Sequence, residues 1–176
     1  MHFFDNYNEN IVKYDLINKF RYKRSLTQIP KLKKISLRFT FKNSDPKKLI
    51  TALTALELIT SQKGSLISSK VSSVSLKILE VQPIGCVVIL RRSTMQEFLI
   101  TLINKIKIEN KKIKPNCSIM GCNIFSFKIN NVHIFPELEK NYQFFKNLNG
   151  LDISIVTTET TYENFLFLLK SYKIEA

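Results

Sequence analysis

The chain has 176 residues, which sets one domain or one domain with a tail, and its 44% apolar content with thirteen Phe is enough for a packed core and excludes wholesale disorder. Its net charge of +13, from 27 basic and 14 acidic side chains, points to RNA or DNA, then to an anionic membrane surface, and away from an acidic small-molecule substrate. No apolar run approaches the roughly 20 residues of a spanning helix, and the start M-H-F-F-D-N-Y-N-E-N reads as neither a secretory signal nor an Arg-rich transit peptide.

In chain order, residues 5–20 read as a helix capped by Asp5, with Tyr7, Ile11 and Tyr14, together with Val12 and Leu16, at helical spacing. A basic connector, Arg21 to Arg24, leads to Ile29-Pro30 and a strand over about 33–42. In that strand Ile35, Leu37, Phe39 and Phe41 alternate with Ser36, Arg38 and Thr40, so one face is apolar and the other wet. The wet face lies among Lys31, Lys33, Lys34 and Lys42, and eleven Lys or Arg against the single acid Asp45 fall between Lys19 and Lys48. A rigid basic sheet surface matches the regular phosphates of a nucleic acid, although an exposed basic strand also serves as a plain solvated face.

Asp45-Pro46 starts a second helix, with Leu49, Leu53, Leu56 and Ile59 on one face to about Thr60. Residues 66–82 are Ser-rich and predict an extended hairpin arm, in which Val74, Leu76 and Ile78 alternate with Ser75 and Lys77. Ser65, Ser69 and Ser72 are placed to hydrogen-bond phosphate and ribose oxygens, or simply to keep a hairpin polar. Pro83-Ile84-Gly85 opens a strand through Leu90, and Arg91 and Arg92 follow it, as RNA contacts or as surface charge.

Ser93 or Thr94 caps the next helix, whose buried stripe is Met95, Phe98, Leu99, Leu102, Ile103 and Ile106. A Lys-rich loop over 107–118 is a nonspecific clamp on RNA or a solvated loop. Asn123–Ile129 alternates as a strand, 137–148 is irregular or briefly helical, and Leu151, Ile153 and Ile155 mark the last strand. Thr160 with Glu163 caps a final helix with Phe165, Leu168, Leu169 and Tyr172 on its core face. The alternating strands predict an α+β fold: a mostly antiparallel sheet with helices on one face and a basic, RNA-facing opposite face, in a single domain over 1–176.

Catalysis finds no support. Four Gly form no phosphate-binding loop, His2 and His133 are far apart, and Glu137 and Glu139 read as a solvated turn. Cys86, Cys117 and Cys122 read as reduced structural thiols, and no metal, cofactor or small-molecule substrate is implied. Most Phe at strand or helix spacing read as core, including Phe125, Phe127, Phe144 and Phe145, with base stacking as the other reading. No helix combines the basic and amphipathic character that a membrane surface needs. Lys outnumbers Arg 22 to 5, with 22 Ile, 15 Asn and 3 Ala, a skew toward A/T-rich codons that points to an organelle-encoded origin, or to an A/T-rich bacterium.

Several runs, in order and in spacing, resemble the large-subunit ribosomal protein L-five family: Y-N-E-N-I-V (Tyr7–Val12), K-F-R-Y (Lys19–Tyr22), I-P-K-L-K-K-I (Ile29–Ile35), L-I-T-S-Q-K (Leu58–Lys63), P-I-G (Pro83–Gly85), L-R…M-Q-E-F-L (Leu90–Leu99), F-P-E (Phe135–Glu137) and G-L-D-I-S-I-V-T-T (Gly150–Thr158). The resemblance implies a structural protein of the central protuberance that holds 5S or 5S-like rRNA, touches large-subunit rRNA and the peptidyl-site tRNA, and joins neighbouring proteins and bridges to the small subunit. It adds Gln62 and Lys63 to the RNA-binding candidates, and gives Ser69, Lys70, Ser72 and Lys77 a tRNA-facing role. Ser61 and Gly64 stand where the family prefers Gly and Pro. With the codon skew, the resemblance implies the mitochondrial matrix, with a plastid or a bacterial cytoplasm as alternatives. A free-standing RNA-binding module outside the ribosome is the competing reading.

Overall fold

The structure is a computed structural model that describes residues 6–20, 29–41, 45–70, 72, 80–109, 123–148, 150–158 and 162–172. The expected caps Asp5 and Thr160, the arm residues Val74, Leu76 and Ile78, and Lys42, Cys117 and Cys122 lie outside the described residues. Five strands, β1 (Leu32–Thr40), β2 (Ser65–Ser68), β3 (Pro83–Leu90), β4 (Ile124–Ile129) and β5 (Leu151–Thr157), form one sheet in the order β2-β3-β1-β5-β4. Each start-to-end pairing shows neighbours running antiparallel. The Phe41 amide after β1 donates to Ile84 O in β3 (2.9 Å), Thr158 after β5 donates to Lys31 O before β1 (3.0 Å), and Thr157 donates to Asn123 O (2.8 Å). The helices that pack with this sheet complete the expected α+β class.

The chain divides into two compact units, the first built from residues 1–35, 91–127 and 154–176, the second from 36–90 and 128–153. In the first unit, a π-helical turn (Asn8–Val12) runs into α1 (Lys13–Phe20). The expected helix is there, but its buried face is Val12 and Leu16, while Ile11 and Tyr14 are exposed at 46% and 58%. The π turn explains the difference, because its wider register, with Lys13 N donating to Asn8 O, rotates the face that an unbroken 3.6-residue period predicts.

Also in the first unit are α3 (Arg92–Glu109) and α6 (Tyr162–Ser171), whose expected core residues Phe165, Leu168, Leu169 and Tyr172 are all buried. Met95, Phe98, Leu99 and Leu102 of α3 are buried too. Helix α3 starts at Arg92 rather than after a Ser93 or Thr94 cap, since the Thr94 hydroxyl donates back to Arg91 O (2.9 Å). It continues through Glu109, so the first three residues of the predicted 107–118 loop are helical, and 110–118 lie outside the described residues.

The two ends of the chain meet in this unit. Tyr7 Oη donates to Ser171 O (2.8 Å), Tyr172 Oη donates to Asn8 Oδ1, and Lys19 Nζ sits 4.1 Å from the centre of the Phe167 ring. Burial above all holds the Tyr172 phenol well above its ordinary pKa; the bond to Asn8 acts in the opposite direction. The hydroxyl therefore stays a donor at any physiological pH. We expect Tyr172→Phe to lower stability by about 1 kcal/mol, a loss of roughly 2–4 °C in Tm for a chain of this size, readable by thermal denaturation.

The second unit holds α2 (Pro46–Thr60), β2, β3 and the short helices α4 (Pro136–Glu139) and α5 (Tyr142–Phe145). Asp45 occupies the N-cap position of α2, but its carboxylate pairs with Lys48 (2.7 Å) instead of capping. Cys86 is buried, as expected for a structural thiol, with Sγ 3.5 Å from Leu49 O and its pKa raised by burial. Phe145 is core, and so are Phe125 and Phe127 in β4, whereas Phe144 is 73% exposed. In β1, Ile35, Leu37 and Phe39 are buried as alternation predicts, but so is Ser36, at 5% exposure. β1 is the middle strand of five, and a side chain as small as serine is screened there by neighbours on both sides.

The foot of the 66–82 arm is closed by backbone pairing: Ser69 N donates to Gln82 O (2.9 Å) and Val81 N to Ser69 O (3.1 Å). Val81 takes a left-handed φ of 64° while 73% exposed. A β-branched residue there is strained by roughly 1–2 kcal/mol. Val81→Asn accordingly raises the unfolding free energy by about 1 kcal/mol, measured by urea denaturation, because no packing is lost.

Candidate nucleic-acid interface

The predicted contact residues fall into two groups. In the second unit, Arg38 and Thr40 are exposed on the strand face opposite Ile35, Leu37 and Phe39. Thr40 Oγ1 donates to Asp152 Oδ2 (3.3 Å), and Lys128 Nζ lies 3.6 Å from Asp152 Oδ1. Sequence reasoning missed Lys128 and Asp152. The signal was present in both strands, since Lys128 alternates with the buried Phe125 and Phe127, and Asp152 with Leu151 and Ile153. With side chains 48% and 36% exposed, this ion pair is solvent-screened and adds little stability, so Lys128 can exchange Asp152 for a phosphate.

The turn after α2 is locked by its own side chains. Ser61, with φ 53°, is the left-handed C-terminal residue of the helix, which is why glycine is favoured at such a position. Gly64 N donates to Glu57 Oε1 (3.3 Å) and Thr60 Oγ1 to Leu56 O (2.7 Å). This holds Lys63 exposed and Gln62 half-buried. Ser65 is exposed and donates to Val87 O (3.2 Å). On the arm, Lys70 and Ser72 are exposed, Ser69 is buried at 8%, and Lys77 lies outside the described residues.

In the first unit, Lys31, Lys33, Arg91 and Arg92 are exposed and Lys34 is half-buried. Lys31 is fixed by its backbone, whose N–H donates to Thr158 Oγ1 (2.9 Å). Lys33 shares strand parity with the buried Ile35 rather than with Arg38, so the structure does not gather all the β1 cations on one face. Lys31, Lys33 and Arg92 instead line a common cavity. Among the described residues, no group of three or more His, Cys, Asp or Glu is placed to hold a metal ion, and no helix is long and apolar enough to cross a membrane.

Residues 83–176 match the C-terminal region that defines the ribosomal L5 protein family. The chain is 36% identical over 170 residues to the large ribosomal subunit protein uL5m of Reclinomonas americana, covering 94% of this chain and 93% of that protein. The chain belongs to the uL5 family of large-subunit ribosomal proteins. Bacterial uL5 proteins are equally similar: that of Mesoplasma florum is 35% identical over 170 residues (94% and 92% of the two chains), and that of Wigglesworthia glossinidia brevipalpis 36% over 176 residues (98% and 97%). The uL5 proteins are structural, non-enzymatic components of the ribosome, in line with the absence of a catalytic motif in the sequence. Two motif glycines have a steric reason in this uL5 chain. A Cβ on Gly85 of P-I-G would lie 2.3 Å from Phe39 O, and one on Gly150 of G-L-D-I-S would lie 2.7 Å from Ile129 O.

Proposed function

We propose that this chain is a structural RNA-binding protein of a mitochondrial large ribosomal subunit, holding 5S or 5S-like rRNA in the central protuberance. The observation that carries the reading is the exposed Arg38–Thr40 end of β1, a cation and a hydroxyl on a rigid strand in a uL5-family chain. Arg38 contributes most to recognition, since a guanidinium both bridges phosphate oxygens and stacks on a base. Lys63, Ser65 and Lys128 extend the contact to the sugar-phosphate backbone. The arm, through Lys70, Ser72 and Lys77, approaches the peptidyl-site tRNA, and the acidic-leaning C-terminal third meets neighbouring proteins and the small-subunit bridge.

The strands β1, β4 and β5 each run from one unit into the other, which supports a single domain over 1–176. The mitochondrial setting is supported by the codon skew and by the similarity to a mitochondrial uL5m. The test is ultraviolet crosslinking on large subunits purified through a high-salt wash, with both peptides and nucleotides mapped. Crosslinks from 31–42 to a 5S-like RNA and from 65–82 to tRNA are expected. Loss of the protein in the salt wash, with no ribosomal crosslink, favours a free-standing RNA-binding module.

A further inference from the structure

The first unit contains a cavity of about 630 Å³ between the π turn and α1, the entry to β1, and the start of α3. Its floor is apolar: Val12, Leu16, Ile29 and Met95 are each no more than 6% exposed. Its rim is cationic, with Lys13, Lys31, Lys33 and Arg92 against the one carboxylate of Glu9. Asn8, Gln96 and Tyr172 bring amide and phenol groups into the lining.

Two unusual backbone features border this space, and no other feature among the described residues accounts for them. The π turn Asn8–Val12 contributes Asn8, Glu9 and Val12 to the wall, and such turns are often found at functional sites. Arg92, on the rim, has a left-handed φ of 52°, a conformation that a non-glycine residue keeps only where its surroundings impose it. Three runs singled out in the sequence, Y-N-E-N-I-V, I-P-K-L-K-K-I and L-R…M-Q-E-F-L, converge on this one cavity.

We infer that the cavity receives one unpaired nucleotide of the bound RNA, with the base on the apolar floor and its phosphate on the Lys31, Lys33 and Arg92 rim. The volume falls within the range of about 300–1,000 Å³ typical of sites for small molecules, which admits one extruded nucleotide and excludes a duplex. A flat ring over Val12 and Met95 gains apolar burial and a sulfur–aromatic contact. The excess of rim cations selects the phosphate ester over an uncharged nucleoside. The source of the nucleotide rests on the rRNA reading above, while the chemistry of the cavity does not.

The test uses the full chain with ¹³C-labelled methionine methyl groups, since Met95 lies in the cavity lining. Adenosine 5′-monophosphate is expected to move the Met95 methyl resonance saturably, and adenosine to bind about tenfold more weakly for lack of the phosphate. Arg92→Gly removes the cation while relieving the backbone, so it keeps or raises Tm and weakens the nucleotide by a factor of a few. A 5S-type rRNA is expected to move the same resonance and to be challenged there by the monophosphate. An unmoved Met95 at high monophosphate concentration, or equal response to adenosine, overturns the proposal. So does rRNA that binds with Met95 unmoved, which would leave a free nucleotide as the occupant. Failure of the rRNA to bind at all, with the monophosphate response intact, counts against the rRNA source and against the proposed function, but not against the nucleotide chemistry of the cavity.

Discussion

Gly85→Ala is expected to lower the unfolding free energy by on the order of 3 kcal/mol, a drop of roughly 6–12 °C in Tm for a chain of this size. The added Cβ would stand 2.3 Å from the Phe39 carbonyl oxygen. The obstruction is backbone in the middle strand of the sheet, so it cannot turn aside as a flexible side chain would. β1 and β3 must separate, which strains the Phe41–Ile84 hydrogen bond and opens the core around Phe39 and Cys86, both fully buried. Gly64→Ala is the control. Its Cβ would meet Leu53 and Val88 at an ordinary 3.5 Å, so its effect stays within about 0.5 kcal/mol. Denaturant unfolding of the two variants side by side gives the comparison, and a Gly85→Ala protein as stable as the control would refute the steric account.

Arg38→Glu is expected to weaken binding to 5S-type rRNA by one to two orders of magnitude at low salt. The substitution removes a phosphate contact and sets a carboxylate against the RNA backbone, so the log–log dependence of affinity on salt becomes shallower by about 1 to 2. Because Arg38 is exposed, fold stability changes little. Asp152→Asn works in the opposite direction. Asp152 holds Lys128 at 3.6 Å and accepts from Thr40 at 3.3 Å. Neutralising it frees a cation on the same face, so binding tightens by about threefold and the salt dependence steepens. Filter binding across a salt series measures both. If the two variants shift affinity in the same direction, the face that carries Arg38 and Asp152 is not where the RNA lies.

The strands and the later helices were legible because burial repeats with a fixed period. β5 alternates at every position, and α6 buries the four residues its spacing names. Ser36 was misread because periodicity describes the two faces of an isolated strand and is blind to the lateral neighbours that cover a central one. The first helix was misread because one π turn rotates every later residue relative to an ideal helix, and nothing in Asn8–Val12 announces that turn. The basic cluster was legible as a concentration of charge but not as a geometry. Lys33 and Arg38 differ in strand parity, and the partner of the cavity-lining Lys31 and Lys33 is Arg92, which is distant in sequence. Asp152 escaped notice because its meaning depends on Thr40 and Lys128, which only the sheet pairing brings to it.

The hydrogen bonds that join the two chain ends also impose an order of events on synthesis. Tyr7 and Asn8 are among the first residues made, and their partners Ser171 and Tyr172 among the last, 164 positions later. At roughly 5–20 residues per second, translation leaves the opening helix waiting on the order of 10–30 s for the side chain and carbonyl that fix it. The second unit, 36–90 with 128–153, has all its residues earlier. The cavity wall formed by the π turn and Tyr172 is therefore finished only after the nascent chain is released, so RNA loading at that wall follows synthesis and does not accompany it.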